Sequence, residues 1–389
     1  MTKLQGRDGG TIVALIGGVL IYGLAMGTTY PLLGLQLAEQ VSGVWNGLNA
    51  AATGLGLLLG VVLVPPLARR LGAGRVALAG VTTMALALAA LAMSENFWAI
   101  FAARLALGCG ANCLFVVAET ALNGLAAPSR RGRIMGAYTA AIAVGFVAGP
   151  AVVAVAADRP ALLLLACAGV TLLALLPLRL ARGPVDLNVR PTPLGRILPA
   201  VSAYPFAFGF LFVASAVDAV AISLLPLIAL ERAFSAEAGA LFVTLFHVGL
   251  LIGQPLVGAA LDVLGRRRTV LICCLLSLAC TLALALGAQL GFWPVALLLL
   301  VWGGANFGLY TAGLALIGDR FAGAALTAAT AAFAAVYASA SIVSPILAGA
   351  TVDSLGATGF YAAVAGLYLA VLFCGGAFFR PPEPSLAPS

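Results

Sequence analysis

The stretch "ALLLLACAGVTLLALLPL", residues 161–178, contains no charged residue and no regular alternation of polar and apolar side chains. An apolar run of about 18 residues or more is long enough to cross a bilayer as a helix, whereas a membrane β-strand needs alternation over about ten residues. The stretch therefore predicts a transmembrane helix.

Similar apolar runs recur along the whole chain, which is 63% hydrophobic and 8% charged. A soluble globular chain carries about a quarter charged residues, so this composition indicates an integral membrane protein. We predict an all-α membrane protein with twelve transmembrane helices. The predicted spans are residues 11–34, 44–66, 75–93, 97–122, 134–157, 160–179, 200–229, 237–260, 269–290, 293–317, 324–350 and 357–378.

The basic residues are distributed unevenly between the loops. Of the 20 Lys and Arg, all but Arg104, Arg159 and Arg232 lie at the termini or in loops on one predicted side. The positive-inside rule then places both termini in the cytoplasm, which requires an even number of spans. We expect a multi-pass protein of the bacterial inner membrane. The net charge of +7 does not indicate a nucleic-acid partner, because loops beside spans meet anionic headgroups of membrane lipids.

The longest loop, "RLARGPVDLNVRPTPLGRILP" from Arg179 to Pro199, divides six spans from six. We predict an N-terminal bundle of residues 1–179, a cytoplasmic linker of residues 180–199 and a C-terminal bundle of residues 200–389. Matching segments recur at a nearly fixed offset: "PLLGLQL" and "PLIALER" lie 195 residues apart, and the two "GAN" segments lie 194 apart. Two parallel six-span repeats are an architecture of secondary transporters, with the site near the midplane between the halves.

Three motifs resemble the major facilitator superfamily, over essentially the whole chain. "GAALDVLGRRR" matches the loop signature of that family, and the resemblance implies a latch between helices on the cytoplasmic side. The first-half copy, "PPLARRLGAGR", has Pro65 and Arg69 where the family has glycine and aspartate. The signature positions are Gly258, Asp262, Gly265, Arg266 and Arg267.

The other two motifs resemble segments of proton-coupled members of the family. "RLALGCGAN", beginning at Arg104, is similar to a stretch associated with proton coupling. "GAYTAAIAVGFVAGP" is similar to the glycine pattern of the antiporters, which implies the drug/proton antiporter branch; its positions are Gly136, Gly145, Gly149 and Pro150. Glycines four apart share one helix face and allow a neighbouring backbone to approach, and a proline permits a kink. Ordinary glycine-rich packing is the alternative interpretation.

Away from the ends of the predicted spans, four charged or histidine side chains remain, which are Arg104, Glu119, Asp218 and His247. Such groups are costly in a bilayer, so each is a functional candidate, and we assign all four to proton coupling. Arg104 and Asp218 fall at similar depths in spans 4 and 7, and we hypothesise a contact between them across the two halves. The alternative for His247 is a hydrogen bond between helices.

Glu119 admits two interpretations. It is a protonatable carboxylate, because desolvation favours the neutral form of a carboxyl group. The alternative is a structural acid near the cytoplasmic end of span 4, held by arginines of the next loop. Those arginines are Arg130, Arg131 and Arg133.

The family resemblance implies that spans 1, 4, 7 and 10 line a central cavity. The polar and aromatic candidates for substrate binding in this cavity are Tyr22, Tyr30, Gln36, Asn112, Asn306 and Tyr310. Asn112 and Asn306 equally suit bridges between helices.

We hypothesise proton-coupled efflux of an amphipathic or cationic compound by alternating access. The alternative is proton-coupled uptake or facilitated transport of a small metabolite. An enzyme is not expected, because the chain has one histidine and neither a G-x-S-x-G nor an H-E-x-x-H motif. We expect no cofactor, no metal and a monomer.

Overall fold

The computed structural model describes residues 2–38, 40–125, 131–176, 197–321 and 323–374. Every secondary-structure element in these residues is a helix. The helices are α1 (Thr2–Ala38), α2 (Gly43–Leu71), α3 (Ala73–Ala92), α4 (Phe97–Leu125), α5 (Arg131–Ala156), α6 (Pro160–Leu173), α7 (Ile197–Ala203), α8 (Pro205–Glu231), α9 (Ala236–Val263), α10 (Arg266–Leu286), α11 (Phe292–Arg320) and α12 (Gly323–Cys374).

Ten helices in the described residues are long and apolar enough to cross a membrane. One of these helices, α12, corresponds to the last two predicted spans. It consists of two limbs joined by a kink at Gly356, whose φ of 58° is rare for residues with a side chain. Span 6 corresponds to α6, which has 14 residues and is shorter than the other helices that correspond to predicted spans. The all-helical architecture predicted from the sequence is confirmed.

The helices of the two halves pack in the same pattern. In the N-terminal half α1 packs on α5, α2 on α4 and α3 on α6. In the C-terminal half α8 packs on the first limb of α12, α9 on α11 and α10 on the second limb. The sequence repeat is therefore a repeat of helix packing. The predicted linker lies outside the described residues, except for its last residues, which open α7.

The closest contacts between the halves lie toward one end of the bundle, where α1 ends and α2 begins. There α1 approaches α8, α2 lies against α12, and α5 lies against α9. We call this the closed end; by the predicted topology it is the outer side. Toward the opposite end, a Cβ added at Gly136 of α5 or at Gly258 of α9 would meet no atom within 4 Å. The two halves therefore meet most closely at the closed end.

Candidate functional site

A continuous series of ring contacts crosses from the N-terminal half to the C-terminal half at mid-height. Successive centroids in this aromatic chain lie between 5.2 and 6.4 Å apart. Its members, in order of contact, are Tyr138, Phe115, Tyr22, Phe146, His247, Phe307, Tyr310 and Phe333. Tyr22 and Tyr310, both predicted to bind substrate, belong to it.

Asp218 of α8 is buried beside this chain, and its Oδ1 lies 3.2 Å from Nε2 of His247. The other ring nitrogen, Nδ1, lies 2.9 Å from the Val243 carbonyl. A carbonyl only accepts, so Nδ1 carries a hydrogen, and a neutral ring would present the Nε2 lone pair to the carboxylate. The contact is favourable only when a proton lies between the two atoms. Asp218 and His247 therefore form a buried acid–histidine pair.

Two residues that the sequence did not single out complete this pair. The Tyr337 hydroxyl of α12 donates to Asp218 Oδ2 at 3.1 Å. Phe146 of α5 stacks on the His247 ring, with centroids 5.7 Å apart and planes 9° apart. Phe146 belongs to the N-terminal half and His247 to the C-terminal half. The Asp218–His247 pair is thus covered by a ring from the opposite half.

Glu119 of α4 is half-buried. It lies within electrostatic range of Tyr138 in α5 and of Tyr310 in α11, which belong to different halves. Asp218 also acts on Tyr310. Both carboxylates therefore lie within electrostatic range of Tyr310. The alternative of a structural acid held by the α4–α5 loop rests on Arg130 and Arg131, whose side chains lie outside the described residues.

The hypothesised contact between Arg104 and Asp218 is absent from this structure, in which both residues are described. The buried Arg104 guanidinium donates to Thr53 Oγ1 at 3.1 Å and to Asn49 Oδ1 at 3.3 Å, both on α2. Its Cζ lies 4.7 Å from the centre of the Tyr30 ring. Within the described residues no carboxylate pairs with Arg104. The prediction was wrong in its partner, because α2 of the same half supplies acceptors at that depth.

The remaining substrate-site candidates lie outside the aromatic chain. Tyr30 covers Arg104. Gln36 is half-buried about 9 Å further along α1 than Tyr30, at the closed end. Asn112 is buried between α4 and α2, where its side chain fills the space beside Gly60. None of the three therefore lies in the aromatic chain beside the Asp218–His247 pair.

Asn306 bridges three helices. Its Nδ2 donates to the Ala214 carbonyl of α8 at 3.1 Å, and its Oδ1 accepts from the Tyr368 hydroxyl of α12 at 2.8 Å. The same hydroxyl accepts from Trp302 Nε1 at 2.8 Å. All these side chains are fully buried. The bridging interpretation of Asn306 thus fits the geometry better than substrate binding.

An Asn306→Ala variant is expected to lose stability, because it leaves the buried Tyr368 hydroxyl without its acceptor. An orphaned buried polar group costs about 1–3 kcal/mol, which corresponds to a fall in melting temperature of about 3–8 °C. Thermal unfolding in detergent measures this. Asn112→Ala is the matched control, since Oδ1 of Asn112 has no hydrogen-bond partner in the described residues. An equal or larger fall for the control would contradict the bridge.

The glycine motif of α5 forms a seam with α1. A Cβ at Gly145 would lie 2.4 Å from the Leu20 carbonyl oxygen, and one at Gly149 would lie 2.4 Å from the Gly27 carbonyl carbon. The helix continues through Pro150 to Ala156. The close backbone approach predicted for the two glycines is present. Gly136, the first glycine of the motif, touches no neighbour and lies outside the seam.

The loop signature ties three helix ends together in the C-terminal half. Arg266 Nη1 lies 3.6 Å from Asp262 Oδ1, and Arg266 Nε donates to Asp319 Oδ2 of α11 at 3.1 Å. Gly265 turns the chain with a φ of 81°. Gly72 adopts the same conformation in the first-half loop, where Arg69 replaces the aspartate. Among the described residues, the ion pair between helix ends occurs only in the second copy.

Comparison with known proteins supports the same architecture. A family model described as Major Facilitator Superfamily matches residues 15–216 and 206–389. An uncharacterized MFS-type transporter, YfkF of Bacillus subtilis (strain 168), is 26% identical over 67% of this chain and 68% of its own length. Another, YcaD of Escherichia coli O9:H4 (strain HS), is 28% identical over 44% of this chain, and the match spans 45% of YcaD.

Solved structures of transporters share the fold. The nucleoside transporter NupG aligns with a TM-score of 0.79 over 95% of this chain and 99% of its own, at 15% identity. A D-xylose-proton symporter aligns with a TM-score of 0.69 over 93% of this chain and 96% of its own, at 17% identity. At these identities the likeness concerns the fold alone.

Proposed function

This chain belongs to the major facilitator superfamily, and from that membership we propose that it exports amphipathic organic cations in exchange for protons. Membership makes it a multi-pass membrane protein that transports a small molecule, and not an enzyme. The substrate, the direction and the proton are the parts that we propose. In the proposed mechanism of alternating access, the two six-helix halves rock as rigid bodies about the junction between them.

The observation that carries the proposal is the composition of the junction between the halves. Asp218 and Glu119 both interact electrostatically with Tyr310, a member of the aromatic chain. Ring faces and carboxylates attract organic cations, and each cation–ring contact contributes about 0.5–2 kcal/mol. The buried guanidinium of Arg104 is engaged by α2 and covered by Tyr30. A cation at the junction is therefore attracted by Asp218 and Glu119 and is only weakly repelled by Arg104.

The proton site supports exchange in particular. The Asp218–His247 pair binds one proton at the junction, and the ring that covers it comes from the opposite half. Separation of the halves at the closed end would remove Phe146 and expose the pair. A proton could then enter from the side that is open, which is the requirement for coupling to alternating access.

Transport into sealed vesicles tests the proposal. Purified protein in vesicles with an acidic interior, with the membrane potential clamped, is expected to accumulate ethidium several-fold over protein-free vesicles. Protons leave down their gradient as the cation enters. Dissipating the pH gradient with a protonophore should abolish the accumulation. Ethidium movement that does not respond to the pH gradient would contradict proton exchange.

Uptake is the second candidate, because two fold neighbours are named as a nucleoside transporter and a D-xylose-proton symporter. The same vesicles distinguish it when the gradient is reversed. Accumulation of labelled uridine or xylose in vesicles with an alkaline interior, without any movement of ethidium, would favour uptake.

A further inference from the structure

An aspartate of the C-terminal half caps a helix of the N-terminal half at the closed end. Asp353, in the first limb of α12, accepts hydrogen bonds from the backbone amides of Gly43 and Val44, the latter at 2.9 Å. These amides belong to the first turn of α2, where backbone donors have no acceptor within the helix. A carboxylate at this position is also favoured by the helix dipole. The contact therefore joins the two halves by charge and by hydrogen bonds.

Ser42, which directly precedes α2 in the sequence and holds its N-cap position, makes no capping hydrogen bond. Ser42 has an extended N-cap conformation, with φ −68° and ψ 166°, but its side chain makes no capping hydrogen bond. Ser235 holds the corresponding position before α9, with φ −75° and ψ 164°, and its Oγ accepts from the Ala238 amide. Two serines with the same backbone geometry therefore behave differently. Asp353 supplies the cap that Ser42 is placed to give.

This cap lies at the tightest seam between the halves. A Cβ added at Gly349 of α12 would lie 2.1 Å from the Gly43 carbonyl oxygen, and one at Gly47 would lie 2.1 Å from the Pro345 carbonyl oxygen. The backbones of α2 and α12 are therefore in direct contact next to Asp353. Its hydrogen bonds form only when this seam is closed.

The equivalent seam on the other side of the pseudo-repeat has no such cap. Asp158 corresponds to Asp353 at an offset of 195 residues, but it is exposed and pairs with the adjacent Arg159 at 3.3 Å. The α5–α9 seam is instead covered by the stack of Phe146 on His247. One seam is thus secured by a carboxylate and the other by the ring over the proton pair.

We infer that Asp353 is a positioning residue for transport, which stabilises the closed end by capping α2 from the opposite half. When the halves separate, Ser42 takes over the cap, so that the α2 amides keep an acceptor in both conformations. The exchange of caps lowers the cost of opening. The inference rests on the alternating access of the proposed function, and is independent of the substrate and the proton.

Amide hydrogen exchange on protein in lipid nanodiscs, without substrate, tests the inference. Loss of a helix cap is expected to shift the equilibrium between the closed and the open state by about 5- to 30-fold. In Asp353→Asn and Asp353→Ala we expect faster exchange by about this factor in peptides covering residues 43–48. We expect faster exchange also in peptides around Phe146 and His247, at the other seam, because the whole closed end opens more often. Asp353→Glu should restore most of the protection.

Asp158→Asn and Ser235→Ala are the matched controls, and neither should increase opening at the α2–α12 seam. Ser42→Ala is expected to slow exchange at both seams, because the open state loses its cap. Faster exchange confined to residues 43–48 in the Asp353 variants would overturn the inference, since it would mark a local cap only. A wild-type rate in Ser42→Ala would refute the exchange of caps. These outcomes do not depend on ethidium transport, so failure of the proposed substrate is distinguishable.

Discussion

Vesicles containing an Asp218→Asn variant are expected to accumulate ethidium about tenfold less than wild-type vesicles under the same pH gradient, although the variant folds normally. An asparagine at this position keeps both hydrogen bonds. Its amide oxygen accepts from Tyr337, and its NH2 group donates to the Nε2 lone pair of a neutral His247. The site is then satisfied without the mobile proton, so the variant mimics the protonated state permanently.

Three measurements separate coupling from damage to the fold. Thermal unfolding of the variant should match the wild type within about 2 °C, and ethidium exchange without a pH gradient should stay within about threefold. Asp158→Asn makes the same substitution at an exposed carboxylate and should leave accumulation unchanged. Wild-type accumulation by Asp218→Asn would show that the Asp218–His247 pair does not carry the coupled proton, and Glu119→Gln would then be the next variant to test.

Gly149→Val is expected to lower the apparent melting temperature by about 5–10 °C and to reduce the yield of folded protein. At this position a Cβ would lie 2.4 Å from the Gly27 carbonyl carbon and 2.5 Å from the Thr28 amide nitrogen of α1. Backbone atoms cannot rotate away as a side chain can, so α1 and α5 must separate. Overpacking of this kind costs about 1–3 kcal/mol and sometimes more.

Gly136→Val provides the control within the same motif. A side chain at Gly136 meets no atom within 4 Å, and we expect a change of less than about 2 °C. Thermal unfolding in one detergent compares the two variants directly. Equal losses for both would show that helix propensity, and not the seam with α1, determines their stability.

The sequence alone was sufficient for the membrane architecture. The length of each apolar run and the position of each charged break depend on local composition, which does not change when the helices pack. The offset of about 195 residues between matching segments likewise predicted that the halves share one packing pattern, and the paired contacts of α2 with α4 and α9 with α11 confirm it. The kink at Gly356 was also marked by the break between the last two predicted spans.

The candidate site was predicted only in part. Asp218, His247 and Glu119 were identified because ionisable groups are rare in spans, and Tyr22 and Tyr310 because they are polar aromatic residues on cavity-lining helices. Tyr337 and Phe146 were missed. Tyr337 stands alone among small residues in "AAVYASAS", and Phe146 lies inside the glycine motif, so composition offered no sign that either contacts the Asp218–His247 pair.

The sequence by itself therefore determined which side chains are buried in the membrane, through the apolar length of each span. Only the tertiary structure decided which of them meet. A helix can rotate about its axis without any change in its composition, and each residue of difference turns a side chain by about 100°. That rotation placed Arg104 against Asn49 and Thr53 of its own half, and placed Asp218 beside His247.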